Sequence, residues 1–544
     1  MTKYINKIIC GCLVGFGLVT ASSCSDWDDH YGESTGSTNG SSLSLWQELK
    51  ANSNLSDFCE VLENTKVFRM HKKTPVSYAD LLDGGQAFTV VAPVNGSFNK
   101  DSLLRLVETN QGDSIVEKFF VKNHLARSVV SASSESQRKL MLNLKYLELT
   151  ATTANGVELK SKNTIAKNGV IHSIAKPLPY SYNIYELLLE DPDFNSIGNE
   201  LRRYMIEEFI PSLSVSNGIV DGVPVYVDSV TSEWNKFLYT IGEIDSEDSV
   251  YWMALPSDDV WKETWKDVEQ YYIYSDKVAK SDSVHNYWTL RAMLDDAVFN
   301  MTDQKNVNEY LLSVPYLSAS KTQSSYRPVY HKFLKPFEPG GILYGSEKIQ
   351  CCNGIVYKTP TWMFDYEKTF FHPIWTETMS NDDLLSAKEC IFRNETAPDS
   401  IKERISEGNY LYVKGNNSLS KWELQFRLSN TLSATYDICV VVLPWTEMTE
   451  KKPNSIAATL SYFNEKGDSV SVDLNNGNAF YSDTSRIDTI VLAENFKFPA
   501  CNYFPNELND RVSLTLKRKV TRSTASKYSQ DAFIDCIFLR PKKQ

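Results

Sequence analysis

The sequence predicts a multidomain protein: two α+β domains in tandem, followed by an all-β sandwich. Three observations predict it. First, Phe88-Thr89-Val90-Val91-Ala92-Pro93-Val94-Asn95-Gly96-Ser97-Phe98 and Asn168-Gly169-Val170-Ile171-His172-Ser173-Ile174 return in the same order. Their second forms are Tyr251-Trp252-Met253-Ala254-Leu255-Pro256-Ser257-Asp258-Asp259-Val260-Trp261 and Asn353-Gly354-Ile355-Val356-Tyr357-Lys358. An ordered repeat of two signatures means one domain type used twice. Second, both repeats open on apolar residues at helical spacing and also carry strand-like runs, which is an α+β texture. Third, beyond Lys368 apolar and polar residues alternate over short runs separated by turn-forming clusters.

In chain order, residues 1–23 read as an export signal. Lys3 and Lys7 flank its start, and Ile8 to Val19 is an apolar run too short to span a bilayer. Thr20-Ala21-Ser22-Ser23-Cys24 resembles the bacterial lipobox, without its usual Leu three residues before the cysteine. That resemblance implies lipidation of Cys24 and a membrane partner through the lipid anchor. The acidic Ser25-Asp26-Trp27-Asp28-Asp29 is similar to surface-export signals of outer-membrane lipoproteins of Gram-negative gut bacteria. The expected location is therefore the outer membrane, exposed at the cell surface. Residues 24–43 form a Gly/Ser/Thr-rich tether with nothing to bury.

Residues 44–180 hold the first copy. Leu45, Leu49, Leu55, Phe58, Val61 and Leu62 recur at near-helical spacing. The apolar run ending in Pro93 leaves the sheet there, because proline cannot donate to a ladder. A small polar residue then caps a helix with an aromatic anchor, Phe98, in its first turn. Asn168-Gly169 reads as a tight turn feeding a strand. Residues 181–368 hold the second copy, with Pro256, Asp258, Trp261, Asn353 and Gly354 at the matching positions. Pro93 to Asn168 spans 75 residues and Pro256 to Asn353 spans 97, which places an insertion in the second copy, expected between Glu263 and Asn286.

These segments resemble the fasciclin-type domain, which has a "TVFAPTNxAF"-like start, an "NGxIHxID"-like closing strand and a histidine-centred segment between. Phe120-Val121-Lys122-Asn123-His124-Leu125-Ala126 fits the middle segment. In the second copy Asp296-Ala297-Val298-Phe299-Asn300 is its counterpart, with Asn300 where the histidine would be and Tyr357 in place of His172. The resemblance implies the motif set Pro93, Asn95, Phe98, His124, Asn168, Gly169 and His172, and a link to adhesion. Its loss of both histidines in copy two favours a hydrogen-bonding, fold-locking role for His124 and His172.

Residues 369–544 are expected to be a sandwich of about eight or nine strands that folds alone. Trp422-Glu423-Leu424-Gln425-Phe426-Arg427-Leu428 puts Trp, Leu, Phe and Leu on one face, and Tyr436 to Leu443 is a buried central strand. Other strands are expected at 387–393, 409–413, 456–463, 469–474, 487–493, 512–517 and 533–539. The last of these resembles the closing strand of galactose-binding-like jelly rolls. Trp445, Phe480, Tyr481, Tyr503 and Phe504 lie in or beside turns rich in Asn, Asp or Pro, and are the candidate ligand-binding residues.

The 544 residues carry a net charge of −12 and no basic cluster, which excludes a nucleic-acid partner. The seven histidines form no HExxH pair, no CxxC occurs, and nucleophile-elbow, P-loop and dinucleotide fingerprints are absent. No cofactor or metal is expected, and no catalysis. Two functions fit: adhesion or docking to a surface protein through the fasciclin-like domains, or capture of a glycan ligand by the sandwich for a polysaccharide-uptake system. An enzyme of unknown type is the third alternative.

Overall fold

A computed structural model describes residues 41–544, except 70–71, 210–214, 221–222, 229–230, 279–280, 303, 315, 318–327, 330, 381, 445–451, 504–511 and 544. The lipidation residue Cys24 and the candidate aromatics Trp445 and Phe504 lie outside the described residues. The chain divides into two compact units, Met1–Tyr180 with Pro211–Val230, and Ser181–Ile210 with Thr231–Gln544.

In the first unit a seven-stranded sheet runs in the order Leu125–Ala126, Phe88–Pro93, Gly169–Ile174, Val157–Ala166, Thr153–Ala154, Tyr146–Leu149, Gln137–Leu140. The two signature segments are its central neighbours. They pair in parallel, Phe88 opposite Gly169 and Pro93 opposite Ile174, and every residue of both strands is buried. Burial on both faces explains why each reads as a nearly continuous apolar run. The helices Leu45–Ala51, Ser56–Asn64 and Tyr78–Asp83 pack their apolar stripes against this pair, through Leu45, Leu49, Phe58, Leu62 and Leu82.

The second unit repeats the arrangement. Tyr251–Pro256 and Gly354–Thr359 pair in parallel with Tyr251 opposite Gly354, flanked by Val298–Asn300 and Glu347–Cys351. The register is the same as in copy one, counted from each proline, so the repeat is structural and not only textual. It also corrects one alignment. Leu125 faces Val90 and Val298 faces Met253, which makes Ala297 the counterpart of His124, and not Asn300. Tyr357 faces Ala254 as His172 faces Val91, as the sequence implied.

The extra length of copy two is distributed. Pro256 to Ala297 is 41 residues against 31 from Pro93 to His124, and Ala297 to Asn353 is 56 against 44 from His124 to Asn168. Met205–Phe209 pairs antiparallel with Thr231–Asn235, and Val215–Val220 pairs antiparallel with Val223–Asp228 as a separate two-stranded sheet.

The sandwich comprises two six-stranded antiparallel sheets. The first runs Cys390–Thr396, Asn409–Gly415, Asp531–Pro541, Thr435–Val442, Asp488–Lys497, with Ile374–Glu377 also on Asp531–Pro541. The second runs Leu384–Lys388, Glu423–Arg427, Ser513–Arg518, Ser455–Phe463, Ser469–Asp473, with Phe480–Tyr481 also on Ser455–Phe463. The strand expected at 387–393 is two strands. Glu389 adopts φ 54°, and the chain passes there from the second sheet to the first. Trp422, Leu424, Phe426 and Leu428 are buried together, as their alternation predicts.

The break expected at 368/369 does not separate two cores. One hydrophobic core runs from Ile184 through Leu539. The lengthened segment after the helix Asp258–Glu269 joins the parts. Cys501 N–H donates to Ile273 O (2.6 Å), Ser433 N–H to Tyr271 O (2.9 Å) and Ser433 Oγ to Gln270 O (2.7 Å). Tyr271 packs on Phe371 at 4.8 Å between ring centroids, and Trp288 packs on Tyr503 at 4.7 Å.

Candidate functional site

The signature residues act as fasteners. Asn168 closes the two-residue turn between Val157–Ala166 and Gly169–Ile174. Its Oδ1 accepts from Leu45 N–H at 2.7 Å, at the start of the first helix, and its Nδ2 donates to Leu82 O and Gly84 O. Asn353 does the same: Ile184 N–H donates to its Oδ1 (2.9 Å), and its Nδ2 donates to Ile244 O and Ser246 O. Both side chains are buried. Gly169 and Gly354 follow because backbone comes too close for anything larger. A Cβ at Gly169 would sit 2.0 Å from Phe88 O, and at Gly354 1.7 Å from Tyr251 O.

Asn95 is not a helix cap in copy one. Asn99 caps Lys100–Val107, and Phe98 precedes that cap, packing on Phe120 at 5.1 Å. Asn95 Oδ1 accepts instead from Asp57 N–H (2.9 Å), near the start of the second helix. Asp258 Oδ1 accepts from Ser196 N–H (2.6 Å) at the matching place in copy two. There Ser257 precedes the helix Asp258–Glu269, and Trp261 is buried in its first turn.

His124 and His172 are also fasteners, in neutral form. His124 Nδ1–H donates to Phe120 O (2.7 Å), and its Nε2 accepts from Leu178 N–H (3.0 Å). His172 Nε2–H donates to Val130 O (2.8 Å), and its Nδ1 accepts from Asn163 N–H (3.3 Å). Neither ring is exposed. Burial pushes the His124 imidazole down to about 4, against the Phe120 carbonyl, which pulls it up. Burial lowers His172 as well. In copy two Ala297 takes the place of His124, and the adjacent buried Asp296 accepts from Ser313 Oγ (2.9 Å) and His331 Nδ1 (2.7 Å).

His124 therefore makes the first unit acid-sensitive. Its imidazole protonates near 6.5 when unfolded but near 4 when folded. The folded state is favoured fully above pH 6.5, and that advantage is lost as pH falls toward 4. Between pH 7 and 4.5 the expected loss is about 2–3 kcal/mol from this residue. Urea denaturation at both pH values measures it. His124→Gln, already weakened at pH 7, should lose less on acidification; an equally steep acid loss would contradict the assignment.

The candidate aromatics divide. Tyr503 is no surface platform: it is packed between Trp288 and Tyr272 at the seam between copy two and the sandwich. Phe480 is half-buried against the core. Tyr481 is 56% exposed and stacks on Tyr528, with ring centroids 5.4 Å apart and planes 23° apart. Arg518, at the end of the strand Ser513–Arg518, is buried. Its guanidinium donates to Ser529 O (2.7 Å), Ser420 O (3.1 Å) and Tyr528 O (3.4 Å), tying down the loop that carries Tyr528.

Sequence reasoning missed a second platform. Trp375, 51% exposed, stacks on Phe538 of the neighbouring strand at 4.8 Å and 27°, on the outer face of the first sheet. Arg540 lies 5.6 Å from the Phe538 ring centre and 3.8 Å from Asp437. Glu377, two residues along the strand from Trp375, accepts from Ser406 Oγ at 2.6 Å. A flat exposed ring with a guanidinium beside its stack can pack on an apolar ring face while the guanidinium hydrogen-bonds to groups at the rim. The signal was Phe370-Phe371-His372-Pro373-Ile374-Trp375, an aromatic run at the start of the sandwich.

Residues 56–179 match the fasciclin domain family. The protein is thus multidomain, with a fasciclin domain of mixed α/β structure and a β-rich remainder with sheets of sandwich type. No curated protein matches the chain. Among solved structures, a FAS1 domain pair from the insect cell adhesion molecule fasciclin I is 12% identical, covering 59% of this chain and 99% of that one at a TM-score of 0.20. The N-terminal CBM22-1–GH10 modules of Clostridium thermocellum endo-1,4-beta-D-xylanase 10B, complexed with xylohexaose, are 12% identical, covering 32% of this chain and 29% of that one at 0.20. The CBM22-1 xylan-binding domain of Paenibacillus barcinonensis Xyn10C is 8% identical, covering 32% of this chain and 96% of that one at 0.21.

Proposed function

We propose that the protein is a non-catalytic docking protein of the cell surface, in which the fasciclin domain and its second copy are scaffold and the sandwich captures a carbohydrate. One observation carries this reading. The signature residues of both copies are occupied in holding backbone together, whereas the two near-parallel ring stacks described above, Trp375 on Phe538 and Tyr481 on Tyr528, lie on the sandwich with an outer ring exposed. A sugar has an apolar C–H face and a hydroxyl rim. Trp375 offers the flat ring, and Arg540, beside the Phe538 ring under it, offers hydrogen bonds. Affinity per site should be weak, about 10 µM to 1 mM, and many copies on one surface would raise it by avidity.

A glycan array probed with the full chain tests this. Binding to one class of polysaccharide is expected, weakened at least about tenfold by Trp375→Ala, a loss of roughly 1.4 kcal/mol. An array with no binding, or binding indifferent to Trp375, would refute it.

The anchor belongs to the same proposal. The lipobox-like run before Cys24, the acidic residues after it and the tether to residue 43 support attachment to the outer membrane by lipid, with the folded units outside. Cys24→Ala is expected to release the protein from membranes or to leave an unprocessed precursor. Unchanged membrane association and processing would remove the anchor from the account.

A further inference from the structure

The second copy contains a cavity that neither the signature residues nor the sandwich platforms use. The strand Thr231–Asn235 turns there into the short helix Leu238–Ile241. Trp234, Asn235, Leu238, Tyr239, Glu243 and Asp245 line a space of about 200 Å³. Its back wall is held by hydrogen bonds and burial. Asn235 is buried, donating to Tyr185 OH (2.9 Å) and Leu201 O (2.8 Å) and accepting from Phe237 N–H (2.9 Å). Leu238 is buried beside it.

The front is different. Tyr239 is 74% exposed, and its ring meets that of Trp234 edge-on, with centroids 5.4 Å apart and planes at 80°. Two rings at that angle make a corner open to solvent. Glu243 and Asp245 complete the wall, and among the described residues neither carboxylate has an ion-pair partner. Partial desolvation and the charge of Glu243 hold Asp245 above the ordinary carboxylate range, the direction expected for negative charge without a cation beside it.

Aromatic faces and unneutralised carboxylates share one preference, for an organic cation. A space of 200 Å³ is below the roughly 300–1,000 Å³ of small-molecule and cofactor sites, and is closer to the size of one side chain. Leu238 and the two rings provide an apolar collar for a methylene stem, which a lysine has and an amino sugar lacks. A net charge of −12 favours approach of a basic partner.

We infer that the pocket formed by Trp234, Leu238, Tyr239, Glu243 and Asp245 receives a lysine side chain presented by a partner protein. The ammonium sits between the carboxylates and the ring corner, and the stem lies on Leu238. This site is independent of the carbohydrate platforms, so either proposal can fail alone.

Ligand-observed NMR with the full chain tests it, using N-acetyl-lysine methylamide, its neutral norleucine analogue and glucosamine as probes. The lysine probe should bind saturably, with Kd on the order of 1 mM, and at least tenfold more tightly than the norleucine analogue. Tyr239→Ala and Asp245→Asn should each weaken it several-fold and leave the melting temperature unchanged, since both side chains are exposed. Raising the salt concentration should weaken it too. Trp375→Ala should not affect it. Equal binding of the norleucine analogue, indifference to both variants, binding of glucosamine without lysine, or no binding of any probe would overturn the inference.

Discussion

A fragment of residues 369–544 is expected to lack a cooperative melt, whereas residues 181–544 should unfold in a single transition. The seam is the reason. Tyr271, Tyr272 and Trp288 of the second copy pack on Phe371, Tyr503 and, through them, Tyr436. An aromatic side chain buries about 150–250 Å². If removing the second copy uncovers area equal to half of three such rings, the cost at about 25 cal/mol per Å² is roughly 6–9 kcal/mol. A whole domain retains only about 5–15 kcal/mol of net stability. The backbone bonds from Cys501 and Ser433 to Ile273 and Tyr271 would be lost as well. Calorimetry of the two fragments decides the matter. A sharp transition in the short fragment at the temperature of the long one would show that the sandwich is self-sufficient.

Gly354→Ala is expected to destabilise the second unit by about 3 kcal/mol or more. The added Cβ would lie 1.7 Å from Tyr251 O and 2.8 Å from Tyr251 C, and the residue adopts φ +149°. Those neighbours are backbone atoms of the central parallel strand and cannot swing aside. Overpacking costs about 1–3 kcal/mol even where side chains can yield, and an unfavourable backbone region adds about 1–3. Urea denaturation of residues 181–544 measures the shift. A loss below about 1 kcal/mol would mean that the strand pair opens to accept the methyl group, and that the Asn-Gly signature is not a close-packing device.

Much of this architecture was legible in the sequence for identifiable reasons. Period-2 alternation found the sandwich strands near 423–427 and 513–518, and a largely apolar run found the one near 435–442, since they bury one face or both. Proline located the ends of Phe88–Pro93 and Tyr251–Pro256. Periodicity reports a residue's face, however, and not its partner. Nothing in the spacing showed that the two signatures pair with each other, or that Ala297, and not Asn300, is the counterpart of His124. Backbone register decides that. Tyr503 looked like a loop aromatic because its covering rings, Tyr272 and Trp288, come from more than 200 residues earlier in the chain. Trp375 escaped notice because its strand, Ile374–Glu377, is four residues long and too short for a period to show. At Glu389 a single left-handed residue splits an apparently continuous strand, and no composition signal marks it.

In the function proposed above, the histidines hold structure and the sandwich binds. One titration sets these roles against each other. The full chain, Trp375→Ala and His124→Gln are each titrated calorimetrically at pH 7 with the polysaccharide selected on the array. Trp375→Ala should weaken binding at least about tenfold, a loss of roughly 1.4 kcal/mol. His124→Gln should leave affinity unchanged even though it weakens the first unit. Affinity retained in Trp375→Ala and lost in His124→Gln would contradict the account.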